Sequence, residues 1–506
     1  TIMLGGRDAG HMDTAAINRA GIARTFQNIQ LFKFMTVLEN VKIGCHINTK
    51  TNLFDAVLRD KTYKNDEKYT AENLHSLSAS LLGEARVTAE QDINNDGVVN
   101  VFDLIEMRRS FNVSENEFTE ISVPASENYT HFIGRNYVSD AITWLVQSGS
   151  AVEFTVSGKS AEIELAGDNC IYNSPNYQSR YAVLVDGKII KDSLLTEKSC
   201  KIELFSGSEN RTAVVKVIHL SEALDGAVGI KNITVNSNKT VPVSPTEGKK
   251  LRIEFIGDSI TCAYGVEGTS QYDNFKTSTE NFMKSYAYLT AEQLDAEYSA
   301  VCYSGYGLIS GYTGNGIKNT DALIQPYYEY IGHFNDYLKP WDFSAMPNDV
   351  IVINLGTNDS GYTGSDKNKC AEYQKEYVKF LGTVRKCNPD AKIICTLGTM
   401  GAEALYPYLE NAVKEFCEAN GDNNISCYQS AVQVQSDGYG SDWHPSAATQ
   451  QKSADVLAEK IKEILKGNTA QSTSDDFVRH KLVSFPSSCT EILCHTTVCL
   501  QNFCTI

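Results

Sequence analysis

The feature that most narrows the fold is a series of apolar, strand-length runs separated by helix-like stretches, all beyond residue 250. The first is Leu251-Arg-Ile-Glu-Phe-Ile-Gly-Asp-Ser-Ile-Thr261. Ile253 to Ile256 reads as a short buried strand that breaks at Gly257 and delivers Ser259 onto the following turn. Asp349-Val-Ile-Val-Ile-Asn-Leu355 and Ala391-Lys-Ile-Ile-Cys-Thr-Leu397 are runs of central-strand length. Tyr373 to Val384 and Ala402 to Asn420 have helical period, and from Ser446 to Leu465 the positions Ala454, Leu457, Ile461, Ile464 and Leu465 share one helical face. The alternation predicts an α/β domain over 250–467, a parallel sheet flanked by helices. Such sheets hold reactive groups beyond the carboxyl ends of their strands, where Ser259 falls.

Upstream, the texture from Tyr129 to Val243 is strand-like. Ala151-Val-Glu-Phe-Thr-Val156 and Ala161-Glu-Ile-Glu-Leu165 alternate and read as two strands joined by Ser-Gly-Lys-Ser. Tyr181 to Val185 runs through Asp186-Gly187 into Lys188-Ile-Ile190, a hairpin signal. With Ala213 to Ile218 and Ile230 to Val235, these short strands predict a β-sandwich of jelly-roll type over 120–243. Val241 to Lys250, with two prolines and a glycine, is the expected linker.

Acyl transfer by a serine needs a base within hydrogen-bond reach and donors aimed at the developing oxyanion. Among nine histidines, His444 stands in Ser441-Asp-Trp-His-Pro-Ser446, just before the last helix. Tyr303-Ser-Gly-Tyr-Gly307 and Asn354-Leu-Gly-Thr-Asn-Asp359 lie between it and Ser259. With Gly257-Asp-Ser-Ile-Thr261 in front, this order resembles the four signature blocks of the SGNH/GDSL hydrolases, a serine esterase superfamily. The resemblance implies Ser259 as nucleophile, His444 as base, and oxyanion donors in the Gly305 N–H (with Gly307 as its neighbour) and the Asn358 amide. The superfamily places an aspartate three residues before the histidine; here that position is Ser441, and Asp442 lies two before.

Trp443 beside His444, Pro340-Trp-Asp-Phe343 before the third block and a jelly roll in front make 130–467 similar to carbohydrate esterase family 2. Some members of that family work with a Ser-His dyad whose imidazole is held by a main-chain carbonyl. The expectation is therefore a dyad, with Asp442 as a weaker candidate third member and Asp437 weaker still. Trp443 is the candidate platform for the sugar ring or acyl methyl, against plain packing. The implied substrate is acetylated plant polysaccharide, acetylxylan or acetylated mannan, handled outside the cell and without a catalytic cofactor. A feruloyl or broad short-chain esterase, or a non-catalytic carbohydrate-binding or scaffold-attached module, stays open.

The two ends read differently. Gly21-Ile-Ala-Arg-Thr-Phe-Gln-Asn-Ile-Gln-Leu-Phe-Lys-Phe-Met-Thr-Val-Leu-Glu-Asn-Val-Lys-Ile-Gly44 resembles the Q-loop region of branched-chain amino-acid ABC transporter ATPases, with Gln27 as the Q-loop glutamine. Without a Gly-x-x-x-x-Gly-Lys-Ser/Thr loop, the stretch 1–70 is expected to lack nucleotide affinity. In 71–115, Asp92-Ile-Asn-Asn-Asp-Gly-Val-Val-Asn-Val-Phe-Asp103 places oxygen ligands at Asp92, Asn94, Asp96, Asn100 and Asp103, with the Val98 carbonyl between and Gly97 at the turn. The pattern resembles one half of a type I dockerin, which implies Ca²⁺ and a cohesin partner. In the tail, 468–506, Cys489, Cys494, Cys499 and Cys504 recur every five residues, a spacing that suits neither a zinc site nor one face of an element. The net charge of −17 argues against nucleic acid or an anionic membrane as partner. No apolar run reaches membrane-spanning length, and the first thirty residues lack the apolar middle of a signal peptide.

Overall fold

The computed structural model of the chain describes residues 118–466 apart from 335, with the backbone of Met3–Leu4, of Arg7–Asp8 and of the final helix as far as Lys481. The chain divides into two units, Thr1–Glu117 and Phe118–Ile506. In the first, Met3–Leu4 pairs antiparallel with Arg7–Asp8. The calcium-loop and Q-loop stretches, like the cysteines of the tail, lie outside the described residues. All that follows concerns the second unit.

Its first part is one curled antiparallel sheet of ten strands. These are β1 (Thr119–Pro124), β2 (His131–Ile133), β3 (Asn136–Ser139), β4 (Ile142–Leu145), β5 (Ala151–Gly167), β6 (Arg180–Val185), β7 (Lys188–Leu194), β8 (Ser199–His219), β9 (Val228–Ser237) and β10 (Val243–Pro245). The main order is β3-β4-β9-β5-β8-β6-β7, with β1 on β9 and both β2 and β10 on β5. The expected hairpin between β6 and β7 is present, with Asp186 and Gly187 both at positive φ. The expected break at Ser157-Gly-Lys-Ser160 is not: β5 runs straight through it. Gly158 marks a close approach, because a Cβ there would lie 2.5 Å from the Asn236 carbonyl oxygen of β9. Inside the curl Phe154, Ile163, Leu165, Val215, Val217 and Ile233 form a fully buried core.

The second part is a five-stranded parallel sheet in the order β12-β11-β13-β14-β15. The strands are β11 (Leu251–Gly257), β12 (Ala296–Cys302), β13 (Val350–Asn354), β14 (Lys392–Leu397) and β15 (Ile425–Gln429). Besides the short helical turns Gln325–Tyr328 and Asp359–Thr363, its helices are α1 (Ser259–Cys262), α2 (Tyr286–Gln293), α3 (Lys367–Cys387), α4 (Tyr406–Asn420) and α5 (Ala447–Lys481). Successive strand residues face opposite layers: Phe255 and Val352 pack with Ala287 of α2 and Leu457 of α5, while Ile256 and Ile353 pack with Tyr377 of α3 and Leu409 of α4. This double cover is why the central strands read as continuous apolar runs.

The two parts share their cores. Ala182, Ile218 and Leu220 of the antiparallel part join the α2–α5 layer, and Val146 and Ala223 join the other. Fully buried Arg135 crosses the junction. It donates to Glu254 of β11 from Nη2 at 2.9 Å and from Nε at 3.3 Å, and to the Tyr328 and Tyr330 carbonyls from Nη1. A buried guanidinium needs this full set of acceptors.

Candidate active site

Gly257, ending β11, sits in register with Cys302 of β12 and Asn354 of β13. The three chains therefore leave the sheet side by side at its carboxyl edge, where strand order reverses around β11. Ser259, Gly305 and Asn358 follow within a few residues of those ends. Gly257 is required for the sharp exit, since a Cβ there would lie 2.0 Å from Thr261 Oγ1. Asp258 caps α1 by accepting the Ile260 N–H at 3.0 Å, and Ala263, at φ 64°, ends the helix after one turn.

The imidazole of His444 arrives from far along the chain. Its loop lies on the turn after α1: the Ser441 N–H donates to the Gly265 carbonyl at 2.9 Å. A Cβ on Gly440 would come within 2.4 Å of that carbonyl oxygen, so the close seating needs glycine. His444 Nε2 lies 2.9 Å from Ser259 Oγ. Nδ1 lies 3.1 Å from the Asp442 carbonyl and 3.2 Å from the Ser441 carbonyl. Carbonyls only accept, so Nδ1 carries the hydrogen and Nε2 is left to accept the Ser259 O–H. The Tyr264 ring covers the imidazole with centroids 4.1 Å apart, and Phe275 stacks on Tyr264 at 4.1 Å. Burial pushes the imidazole down to about 4, outweighing the carbonyl hydrogen bonds and the Asp442 charge, which favour protonation.

Donors for an oxyanion follow from tracing the N–H groups after β12. Tyr303 donates to the Gly257 carbonyl, Ser304 to the Glu222 carboxylate, Tyr306 to the Tyr303 carbonyl and Gly307 to the Ala322 carbonyl. Leu308, Ile309 and Ser310 all donate to the carboxylate of Asp359. In this run, among the described residues, the Gly305 N–H alone engages no protein acceptor, and Gly305 sits at φ 80° where glycine is favoured. Buried Asn358 donates from Nδ2 to the Tyr306 carbonyl at 2.8 Å, which uses one of its two amide hydrogens.

Residues 255–452 match the GDSL-like Lipase/Acylhydrolase family, and residues 132–245 match the Carbohydrate esterase 2 N-terminal family. The solved structure of a family two carbohydrate esterase from Clostridium thermocellum, in complex with cellohexaose, is 31% identical. The match covers 67% of this chain and 99% of that one, with a TM-score of 0.59. The chain belongs to carbohydrate esterase family two. Cellulase/esterase CelE of Acetivibrio thermocellus is 34% identical over 323 residues, 63% of this chain; the chain spans 37% of the length of that protein. The acetylxylan esterase / glucomannan deacetylase of Cellvibrio japonicus is 26% identical over 68% of this chain and 91% of its own length. A separate likeness, 36% over 64 residues, is to the high-affinity branched-chain amino acid transport ATP-binding protein LivG of Escherichia coli, covering 13% of this chain and 25% of LivG.

In this family two member the carboxylate of Asp442 does not reach the imidazole. Asp442 sits at φ 50°, and its Oδ2 accepts the Tyr264 O–H at 2.9 Å and the Phe275 N–H at 3.1 Å. Its main-chain carbonyl faces His444 instead. Asp437 is likewise turned away, its carboxylate paired with Lys452 at 2.6 Å. Trp443 is 48% exposed, with Tyr272 edge-on at 5.7 Å and Tyr439 tilted at 5.3 Å. Gly307 spends its N–H on Ala322, which leaves Gly305 as the free donor of the pair. The ligand set Asp92, Asn94, Asp96, Val98, Asn100 and Asp103 lies outside the described residues. Among the described residues, Glu222, Cys262 and Glu280 bring one ligand atom each within 4.8 Å of the others. Two backbone N–H groups already point at these carboxyls, and burial raises both acids. That environment favours neutral carboxyls over a cation cage. Sequence reading missed Asp359, Glu222 and Tyr264; only the acid directly after Asn358 carried a local signal.

Proposed function

We propose that this protein is a serine esterase that removes O-acetyl groups from plant cell-wall polysaccharide, acetylxylan or acetylated mannan, through an acyl-enzyme on Ser259. The observation that carries the reading is the 2.9 Å contact between Ser259 Oγ and a His444 Nε2 whose tautomer is fixed by two carbonyls. Nε2 takes the hydroxyl proton as Oγ bonds to the acetyl carbon. The oxyanion is held by the N–H groups of Gly305 and Ser259 and the spare amide hydrogen of Asn358. As the C–O bond to the sugar breaks, Nε2 returns its proton to the sugar oxygen. Water then gives a proton to Nε2, attacks the acyl carbon and releases acetate, and Nε2 restores the Ser259 hydroxyl.

The polysaccharide part of the reading is supported by the relatives: one is named for acetylxylan and glucomannan, and another was solved with cellohexaose. Exposed Trp443, flanked by Tyr272 and Tyr439, suits the apolar face of a sugar ring. Such a substrate places the protein outside the cell. Acetate release from acetylated xylo- and glucomanno-oligosaccharides, assayed beside methyl ferulate, tests the assignment. Turnover of the ferulate with none of the acetylated glycans would replace it.

The loop of Asp92, Asn94, Asp96, Val98, Asn100 and Asp103 binds Ca²⁺ as a single dockerin-like half, with a cohesin as its partner. A calcium titration of the whole chain, with Asp92→Ala beside it, tests this; equal heats from both would refute it.

A further inference from the structure

Two side chains of the antiparallel part hydrogen-bond the oxyanion turn after β12: Gln147 donates from Nε2 to the Tyr303 hydroxyl at 2.7 Å, and Glu222 accepts a backbone N–H of the turn itself. Glu222 belongs to the antiparallel part, three residues beyond the end of β8, and is 3% exposed. Its Oε2 accepts the Ser304 N–H at 2.7 Å, across 82 residues of chain. That N–H belongs to the peptide one link ahead of the one carrying the Gly305 N–H.

Glu222 is itself held at both its backbone and its carboxyl. Its own backbone N–H donates to Glu280 Oε2 at 3.0 Å, and the Cys262 thiol lies 3.9 Å from its Oε2. Nearby, the Phe282 N–H donates to the Leu220 carbonyl at 3.0 Å, tying the two parts together at this junction. Packing alone would not require an acid here: a buried carboxyl is costly unless its hydrogen bonds are used, and this one uses its bond on a peptide adjoining Gly305. Asp359 holds the far side of the same turn through Leu308, Ile309 and Ser310. The Gly305 N–H is thus bracketed by two carboxyl groups, one from each part of the protein.

Resting on the esterase reading, we propose that Glu222 is a positioning residue for the reaction: by holding the Ser304 N–H it fixes the turn that aims the Gly305 N–H at the oxyanion, so the antiparallel part completes the hydrolase site. A donor aimed at charge that develops only in the transition state affects kcat and leaves KM nearly alone. Deleting one oxyanion donor outright costs about 10²–10³ in kcat, so misaiming one is expected to cost roughly tenfold to a hundredfold.

The test uses the whole chain and 4-nitrophenyl acetate, with Glu222→Ala, Glu222→Gln and Ser259→Ala measured beside the wild type and folding checked by thermal melting. Glu222→Ala should lose about tenfold or more in kcat with KM within about threefold. Glu222→Gln, whose amide oxygen can still accept the Ser304 N–H, should recover most of that loss. Should the alanine variant not fold, Glu222→Asp, which draws the acceptor back by one methylene, takes its place with the same expected kcat loss. Wild-type kcat in the alanine or aspartate variant overturns the inference, as does an equal loss in alanine and glutamine variants with KM rising in step. In those outcomes an inactive Ser259→Ala leaves the esterase reading standing. Undiminished turnover in Ser259→Ala removes that reading, and this inference with it.

Discussion

Replacing Asp442 with asparagine separates a dyad from a triad. In a Ser-His-Asp triad the carboxylate holds the imidazole in its working tautomer, and its amide replacement costs about 10⁴ in kcat, or about 5.5 kcal/mol. Here that work falls to the Asp442 and Ser441 carbonyls, 3.1 and 3.2 Å from Nδ1, which a side-chain change does not remove. Asparagine can keep an acceptor for the Tyr264 O–H and the Phe275 N–H, and it tolerates the left-handed backbone at φ 50°. What disappears is one exposed charge beside an imidazolium, worth about 1 kcal/mol or less in largely aqueous surroundings. Steady-state hydrolysis of 4-nitrophenyl acetate by Asp442→Asn should therefore stay within about tenfold of wild type in kcat, with an unchanged melting temperature. A loss of about a thousandfold or more in a folded variant would refute the carbonyl-held dyad.

Three further outcomes follow from the same structure. Because burial holds the His444 imidazole at about 4, the acid limb of kcat/KM should fall near pH 4; a limb near 6.5 would contradict the covering role of Tyr264. Burial raises Asp258 to about 7 and raises Glu222 and Asp225 as well, so the folded state holds protons there that the unfolded chain has released. Stability from these acids is fully present below about pH 4 and is lost as pH climbs from there to about 7 and above, whereas His219 and His444, lowered to about 4, withdraw stability only as pH falls below about 6.5. Thermal melting should accordingly be higher at pH 6.5 than at 8.5, and the reverse order would contradict the burial of these groups. Arg135→Met should cost about 3–5 kcal/mol in urea unfolding by stranding Glu254, with part recovered in the double variant Arg135→Met/Glu254→Met; a cost under about 1 kcal/mol would mean the junction does not depend on that pair.

The parts of the fold that were legible are those where one local requirement dominates. The strands ending at Gly257 and Asn354 are covered on both faces, so their side chains are mostly apolar. Ala296–Cys302 and Ile425–Gln429, at the two edges of the sheet, gave weaker signals: the first mixes small and polar residues, and the second is half exposed. Gly158 looked like a turn because glycine serves both turns and close backbone approach, and only the position of β9 distinguishes them. Ser259 and His444 could be singled out because each sits at a strand or helix boundary, in blocks whose order resembles that of the SGNH/GDSL hydrolases. The direction of the Asp442 carboxylate could not, since it depends on two successive left-handed residues, Asp442 and Trp443. Glu222 and Arg135 act on partners 82 and 119 residues away, across a junction that no periodicity records.

The proposed reaction makes Ser259 a nucleophile activated by His444. Labelling of the whole chain with a fluorophosphonate, followed by identification of the modified peptide, tests it most directly. A single adduct is expected on the peptide carrying Ser259, lost in Ser259→Ala and strongly slowed in His444→Ala. An adduct on another residue, or none in a protein that still releases acetate, would contradict it.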